Sequence, residues 1–275
     1  MKILIMTDME GVAGVLNFED WTRPEGRYYE KGKRLLTAEV NAAIRGFCNQ
    51  GVTEIRVVDG HGPGAIDPEK LDPHAELMRG RPQPTWPWTL DESFDALAFV
   101  GQHAKAGTPN SHLTHTQYCR FIDLSINDVS IGEYGQLALC ALELGVPTIL
   151  ACGENALAEE AEKLTPGVVG VGVKQGILPD GLDDLSMEEY RQAKLAAIHQ
   201  SPRAAGELIE EGASEATRRL CTNPESFCYP DLTPPYVREA RFRPAGDEPG
   251  FTTRAEHPDS ITALMNQPYG NPNEE

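Results

Sequence analysis

The sequence predicts an α/β protein: a mostly parallel, helix-covered sheet with a smaller C-terminal α+β sub-domain. Three observations carry that prediction. Short apolar runs recur with the length of buried strands, and helix-length amphipathic or apolar stretches separate them. The alternation then stops in the C-terminal fifth of the chain, where prolines multiply. Strands and helices in alternation bury both faces of a parallel sheet under helices. On this basis residues 1–215 form an α/β metal-hydrolase core and residues 216–275 a proline-rich sub-domain or extension.

Taken in order, residues 3–6 (Ile-Leu-Ile-Met) are the first buried strand. A helix follows over about 28–50, because Leu36, Val40, Ala43, Ile44 and Phe47 keep helical spacing and Gly51 is placed to cap its end. Residues 55–58 and 96–100 are further buried strands, and the runs 121–126 and 129–131 flank Asn127-Asp128 as a hairpin would. Gly132 opens a nearly all-apolar helix over 133–144, which Gly145 closes. Strands over 148–151 and 168–173 enclose an acidic helix. Ser186 and Glu189 form a capping-box pattern, which predicts a long helix through about His199, restarted at Ser201-Pro202. Beyond Cys221, six prolines from Pro224 to Pro249 leave one strand over 236–242, and the tail 267–275 is expected to fray.

A chain of 275 residues buries roughly three quarters of its extended surface, so folding needs no metal or disulfide staple. Any metal is then functional. A formal charge of −18 with no basic stripe excludes nucleic acid as a partner and favours cationic groups such as a free amino terminus. Six cysteines show no CxxC pair, and Cys140 and Cys152 sit in apolar runs as core residues. Met1-Lys2 leads into a strand without a signal peptide, and no apolar run approaches the ~20 residues of a membrane span. A cytoplasmic protein with no membrane partner is expected.

The polar residues at strand ends carry the functional argument. Asp8 and Glu10 follow the first strand, Asp59-Gly60-His61 the second, and Gly101-Gln102-His103 the third. In an open parallel sheet these carboxyl ends share one edge, where ligands bind. Glu133, opening a buried helix after the hairpin, completes the set. Singly each has a bland reading: a solvated loop, a turn, a half-buried histidine, a charge favouring a helix N-terminus. Together they would repel one another unless cations sit between them. Carboxylate with imidazole is the ligand mix for Zn, Mn or Fe, and one bridging acid suits two ions about 3.5–4 Å apart. Asp59 is a candidate for orienting His61, or a turn residue. His112 and His115, in the loop past His103, are exposed residues or a proton shuttle. Trp86-Pro87-Trp88 lines a pocket, covers the core or forms a subunit contact.

The runs Asp8-Met9-Glu10-Gly11, Asp59-Gly60-His61, Gly101-Gln102-His103-Ala104, Thr108-Pro109, Thr114-His115-Thr116 and Gly132-Glu133-Tyr134-Gly135 resemble the DppA-type D-aminopeptidases. Order and separation agree over roughly residues 1–175, and Val173-Lys174-Gln175 also matches. The resemblance implies a cytoplasmic metallo-aminopeptidase with two zinc ions per chain, Mn or Co being substitutes. It also implies a ring-shaped homodecamer enclosing the sites. Carried over residue by residue, Asp8 bridges the ions, Glu10 and His61 complete one site, His103 and Glu133 the other, and His115 is the catalytic histidine. The chain departs from the family pattern in a segment one residue longer between His103 and His115, which adds His112, and in Trp86-Pro87-Trp88.

The expected reaction is removal of the N-terminal residue, of either hand, from short peptides or amino-acid amides. The rivals are another two-metal hydrolase, a small amidase or phosphoesterase, and a non-catalytic metal-dependent binding protein. Against a phosphate site stands the lack of basic residues around the rim, Lys105 apart.

Overall fold

The computed structural model describes residues 1–270. In chain order, β1 (Lys2–Thr7) leads through the short α1 (Phe18–Trp21) to α2 (Tyr29–Cys48), β2 (Glu54–Asp59), β3 (Ala75–Met78) and β4 (Ala96–Gln102). The hairpin of β5 (Phe121–Ile126) and β6 (Val129–Ser130) precedes α3 (Glu133–Glu143), β7 (Thr148–Glu154), α4 (Asn155–Leu164) and β8 (Val169–Gly176). Then come α5 (Met187–Ala193), β9 (Ala197–His199), α6 (Pro202–Thr222), β10 (Tyr236–Phe242), β11 (Phe251–His257) and α7 (Ile261–Asn266).

The large sheet runs β3-β2-β1-β4-β7-β8-β9, parallel except for β9 at its edge. Because strand side chains alternate, β1 feeds two cores. Ile3 and Ile5 join Leu36, Val40, Ile44 and Phe47 of α2 and Ile209 of α6 on one face. Leu4 and Met6 join Tyr134 of α3 and Leu157 of α4 on the other. Each such Leu or Ile, fully buried, contributes about 1.5–3 kcal/mol.

The smaller sheet, β11-β10-β5-β6, takes β5 and β6 from residues 121–130, while helix α6 passes residue 215 unbroken. Asn127 and Asp128, at φ 47° and 67°, make the left-handed pair that a tight hairpin requires. Phe121 and Phe242 attach this sheet to the second core.

Two sequence expectations need correction. The capping box at Ser186 and Glu189 forms, yet its helix stops at Ala193 instead of reaching His199. Lys194 is buried instead, donating to the Thr108 carbonyl and, at 3.3 Å, to Ser111 Oγ. Residues 197–199 then pair with β8, so tertiary contacts override local helix preference. The start of the tail is held rather than frayed: Arg238 donates to the Gln267 carbonyl at 2.9 Å and the Pro268 carbonyl at 2.8 Å. The rest of that tail, residues 271–275, lies outside the described residues.

Candidate active site

Strands β1, β2 and β4 are parallel neighbours, so Asp8, His61 and His103 emerge at one edge. The loop after β1 lies directly on the end of β4: Asp8 N–H donates to the Val100 carbonyl at 3.1 Å and Gly11 N–H to the Gly101 carbonyl at 2.7 Å. Only glycine permits that approach. Gly101 has φ +76°, and a Cβ there would stand 2.1 Å from the Asp8 carbonyl oxygen. Gly101→Ala is expected to cost about 2–4 kcal/mol, read as a lowered denaturation midpoint, and to reduce metal content with it. An unchanged midpoint would mean that the loop is not held against β4.

Asp8 stands at the centre of the cluster. Its Oδ1 is 3.1 Å from His61 Nδ1 and its Oδ2 is 3.2 Å from His103 Nε2. Glu10 Oε2 is 3.2 Å from His61 Nδ1, and Glu133 Oε1 is 3.6 Å from His103 Nε2. His115 Nε2 lies 3.7 Å from the same Glu133 oxygen, its ring stacked on that of His103 at 4.0 Å. Gln102 Nε2 donates to Asp8 Oδ2 at 3.0 Å and Met9 N–H to Oδ1 at 2.8 Å, fixing the carboxylate plane.

The imidazoles are oriented from behind by carbonyls, which only accept. His61 Nε2–H donates to Thr22 O at 2.8 Å, His103 Nδ1–H to Ala104 O at 2.8 Å and His115 Nδ1–H to Leu113 O at 2.9 Å. In each neutral ring the remaining nitrogen therefore aims its lone pair at carboxylates, which is repulsive without a cation between them. Glu10 Oε2 and His103 Nε2 are buried and accept or donate no hydrogen bond despite their close neighbours. Ligand atoms of Asp8, Glu10 and His103 lie within 4.8 Å of one another, and so do those of His103, His115 and Glu133, close enough to share an ion. Two ligand atoms about 2.0–2.1 Å from a tetrahedral divalent ion stand roughly 3.3 Å apart, the spacing found here. Oxygen and nitrogen donors without thiolate fit a catalytic ion such as zinc.

The electrostatics agree. Burial opposes charge on Asp8, but the imidazoles of His103 and His61 outweigh it and hold the carboxyl well below its ordinary range. Burial likewise opposes charge on the histidines. Glu10 and Asp8 nonetheless hold His61, and Glu133 and Asp8 hold His103, well above the usual value. Without metal, protons supply the missing positive charge, and metal binding must release them. His115 behaves differently, pushed below its ordinary value by burial and then by the charge on His103.

Other residues are placed elsewhere. Asp59 does not orient His61; its carboxylate accepts from Ala65 N–H at 2.7 Å and Ile66 N–H at 3.2 Å, shaping the loop. His112 is fully buried away from the rim, edge-on to His199 at 5.3 Å, and burial pushes its ring down to about 2. Two supports escaped the sequence reading. Glu154, at the end of β7, accepts from Ala104 N–H at 2.7 Å and His112 N–H at 2.6 Å, and Lys174 on β8 donates to the Glu10 carbonyl. Glu154 ends its strand, the signal already used for Asp8, His61 and His103, while Lys174 lies within β8.

Beneath the same loop, Glu39 accepts from Ala13 N–H at 2.9 Å, and its other oxygen is unpartnered. Burial, opposed only by that bond and by Lys174, raises its carboxyl to about 8. Between the ordinary 4.5 and about 8, the unfolded chain loses this proton while the folded chain keeps it, so rising pH destabilises the fold. Relative to Glu39→Gln, the wild type is expected to lose stability across that window, by at most about 1.4 kcal/mol per pH unit, and to level off above it. Denaturation series at several pH values check this. Parallel profiles would contradict it.

The rim opens into a cavity of about 530 Å³. Trp86 and Trp88 line it while also packing in the second core, their rings edge-on at 6.5 Å. The expected lack of basic residues is corrected: Arg23, Arg81 and Arg191 all line the cavity. Lys105 is spent on Ser130, whose Oγ it meets at 2.6 Å. Among the described residues, no helix is long and apolar enough to cross a membrane.

Comparison with known proteins gives three matches. The family model described as D-aminopeptidase matches residues 1–245. A D-aminopeptidase of Bacillus subtilis (strain 168) is 35% identical over 213 residues, which covers 77% of this chain and 72% of the relative. The solved structure of the Zn-dependent D-aminopeptidase DppA from Bacillus subtilis, described as a self-compartmentalizing protease, superposes with a TM-score of 0.81 at 27% identity. That match covers 97% of this chain and 95% of the other.

Proposed function

The chain belongs to the D-aminopeptidase family, and from that membership and the rim geometry we propose that it is a two-zinc aminopeptidase acting on short peptides or amino-acid amides. The observation that carries the reading is Asp8, placed between two imidazoles whose free nitrogens face acids. In this reading Asp8 would be shared by the ions, Glu10 and His61 would complete one site, and His103 and Glu133 would complete the other. Two divalent ions bring four positive charges against three carboxylates, which answers the repulsion at the rim.

When bound, zinc supplies Lewis acidity toward the scissile carbonyl and a water activated at neutral pH. The protein's own groups do the rest. Gln102, Thr22 and Ala104 hold the ligands in one orientation, so little reorganisation is needed during reaction. The substrate's amino end docks at the loaded rim as the free amine. His115, neutral at pH 7, takes a proton at Nε2 from the attacking water and returns it to the leaving amine. Phe18 packs edge-on to its ring at 5.5 Å and keeps it in place.

The experiment is hydrolysis of paired D-Ala and L-Ala dipeptides by zinc-loaded protein, with nitrophenyl phosphate alongside and metal counted per chain. Cleavage of a dipeptide with two ions per chain supports the reading; hydrolysis of the phosphate alone replaces it with the phosphoesterase, the rival that the three arginines favour. Mn and Co are the ions to try in exchange. We place the protein in the cytoplasm as a homo-oligomer, with a decamer as the assembly. Six unpaired thiols support the compartment, and the self-compartmentalizing relative supports the assembly.

A further inference from the structure

The cavity that holds Asp8, Glu10 and Glu133 is also lined by Arg23, Arg81 and Arg191, which come from three distant segments of a chain whose net charge is −18. Among the described residues, Arg23 and Arg81 make no ion pair and donate no side-chain hydrogen bond. Arg81 stacks over Trp88, its guanidinium carbon 5.7 Å from the ring. Arg191 is half-buried and ion-paired through Nη2 with Glu19 Oε1 at 2.9 Å, and among the described residues its side chain donates no hydrogen bond. Its guanidinium carbon is 6.0 Å from the Phe18 ring, and Phe18 is 5.5 Å from the His115 ring. Those two steps together span no more than three to four extended residues at roughly 3.3–3.6 Å each.

A short peptide whose amino end docks at the rim carries a carboxylate at its other end, and that charge needs a cationic partner in the cavity. Resting on the aminopeptidase reading above, we propose that Arg191, on a cavity that Arg23 and Arg81 also line, binds the substrate's C-terminal carboxylate. This makes the enzyme select di- and tripeptides with a free carboxyl end over the same peptides as amides. Arginine suits the task, since its planar fork pairs bidentately with a carboxylate. An amide end presents a neutral group to the guanidinium and forgoes that pairing. Longer peptides carry the carboxylate past the lip and lose it as well. The arginines thus act as specificity residues and take no part in bond cleavage.

The test compares kcat/KM for a di- and a tripeptide, each as free acid and as C-terminal amide, using the zinc-loaded wild type, Arg191→Leu and Arg191→Lys. The wild type is expected to prefer the acid by about tenfold or more, mainly through KM. Arg191→Leu is expected to bring the acid-to-amide ratio toward one, and Arg191→Lys to restore part of it. Wild-type cleavage of acid and amide at equal rates would overturn the proposal and leave the aminopeptidase reading standing. An Arg191→Leu ratio equal to that of the wild type would also overturn it. Should that variant fail to fold, the exposed pair Arg23→Leu with Arg81→Leu is expected to lower the same ratio, and no change would count against the proposal. Cleavage of neither form would instead sink the aminopeptidase reading, and the carboxylate site with it.

Discussion

Asp8→Ala is expected to empty both metal positions and lower kcat/KM by about 10³-fold or more, with the fold retained. The size follows from what Asp8 touches: one of its oxygens faces the imidazole of His61 and the other that of His103. Losing the Lewis acid forfeits several kcal/mol of transition-state stabilisation, and each 1.36 kcal/mol is a factor of ten. Fold retention follows from the core, because Ile3, Leu4 and Ile5 are fully buried before the loop begins. Metal analysis together with circular dichroism checks the claim. A variant that keeps its metal and its activity would remove Asp8 from the site.

His115→Ala is expected to keep wild-type metal content and to lower kcat by about 10²–10⁴-fold, the usual loss when a positioned acid–base group is removed. Its Nδ1 is tied to Leu113 O while its Nε2 faces the rim, so truncation removes a proton carrier and leaves the other ligand atoms in place. The pH profile separates this role from a structural one: the limb reporting the histidine should vanish. Loss of metal in this variant would make His115 a ligand, which its 3.7 Å approach to Glu133 also permits. Unchanged turnover would take the role away from this histidine.

Why was so much of the rim legible before any coordinates? Strand ends advertise themselves. An apolar run followed at once by Asp, His or Glu beside glycine marks both the buried strand and the edge where it stops, and Asp8, His61 and His103 all satisfy that pattern. Choosing between His112 and His115 was another matter, since both lie in a loop with no periodicity. Backbone turns at Asn110, Leu113 and Gln117, all at φ between 52° and 61°, put His112 in the core and His115 at the cavity. No propensity rule predicts a left-handed leucine.

The helix expected to reach His199 failed for a related reason. Its residues were suited to a helix, but β8 offered an unpaired edge and Lys194 a buried anchor. The arginine wall was invisible because Arg23, Arg81 and Arg191 meet only through tertiary structure. Glu154 was within reach of the same strand-end argument that found the rim.

X-ray absorption at the zinc edge, on protein loaded with zinc and freed of excess metal, tests the central claim most directly. Two ions per chain, nitrogen and oxygen neighbours at about 2.0–2.1 Å including imidazole, and a metal–metal distance of about 3.5–4 Å are predicted. A sulfur neighbour at about 2.3 Å, or one ion per chain with no metal partner, would contradict the account.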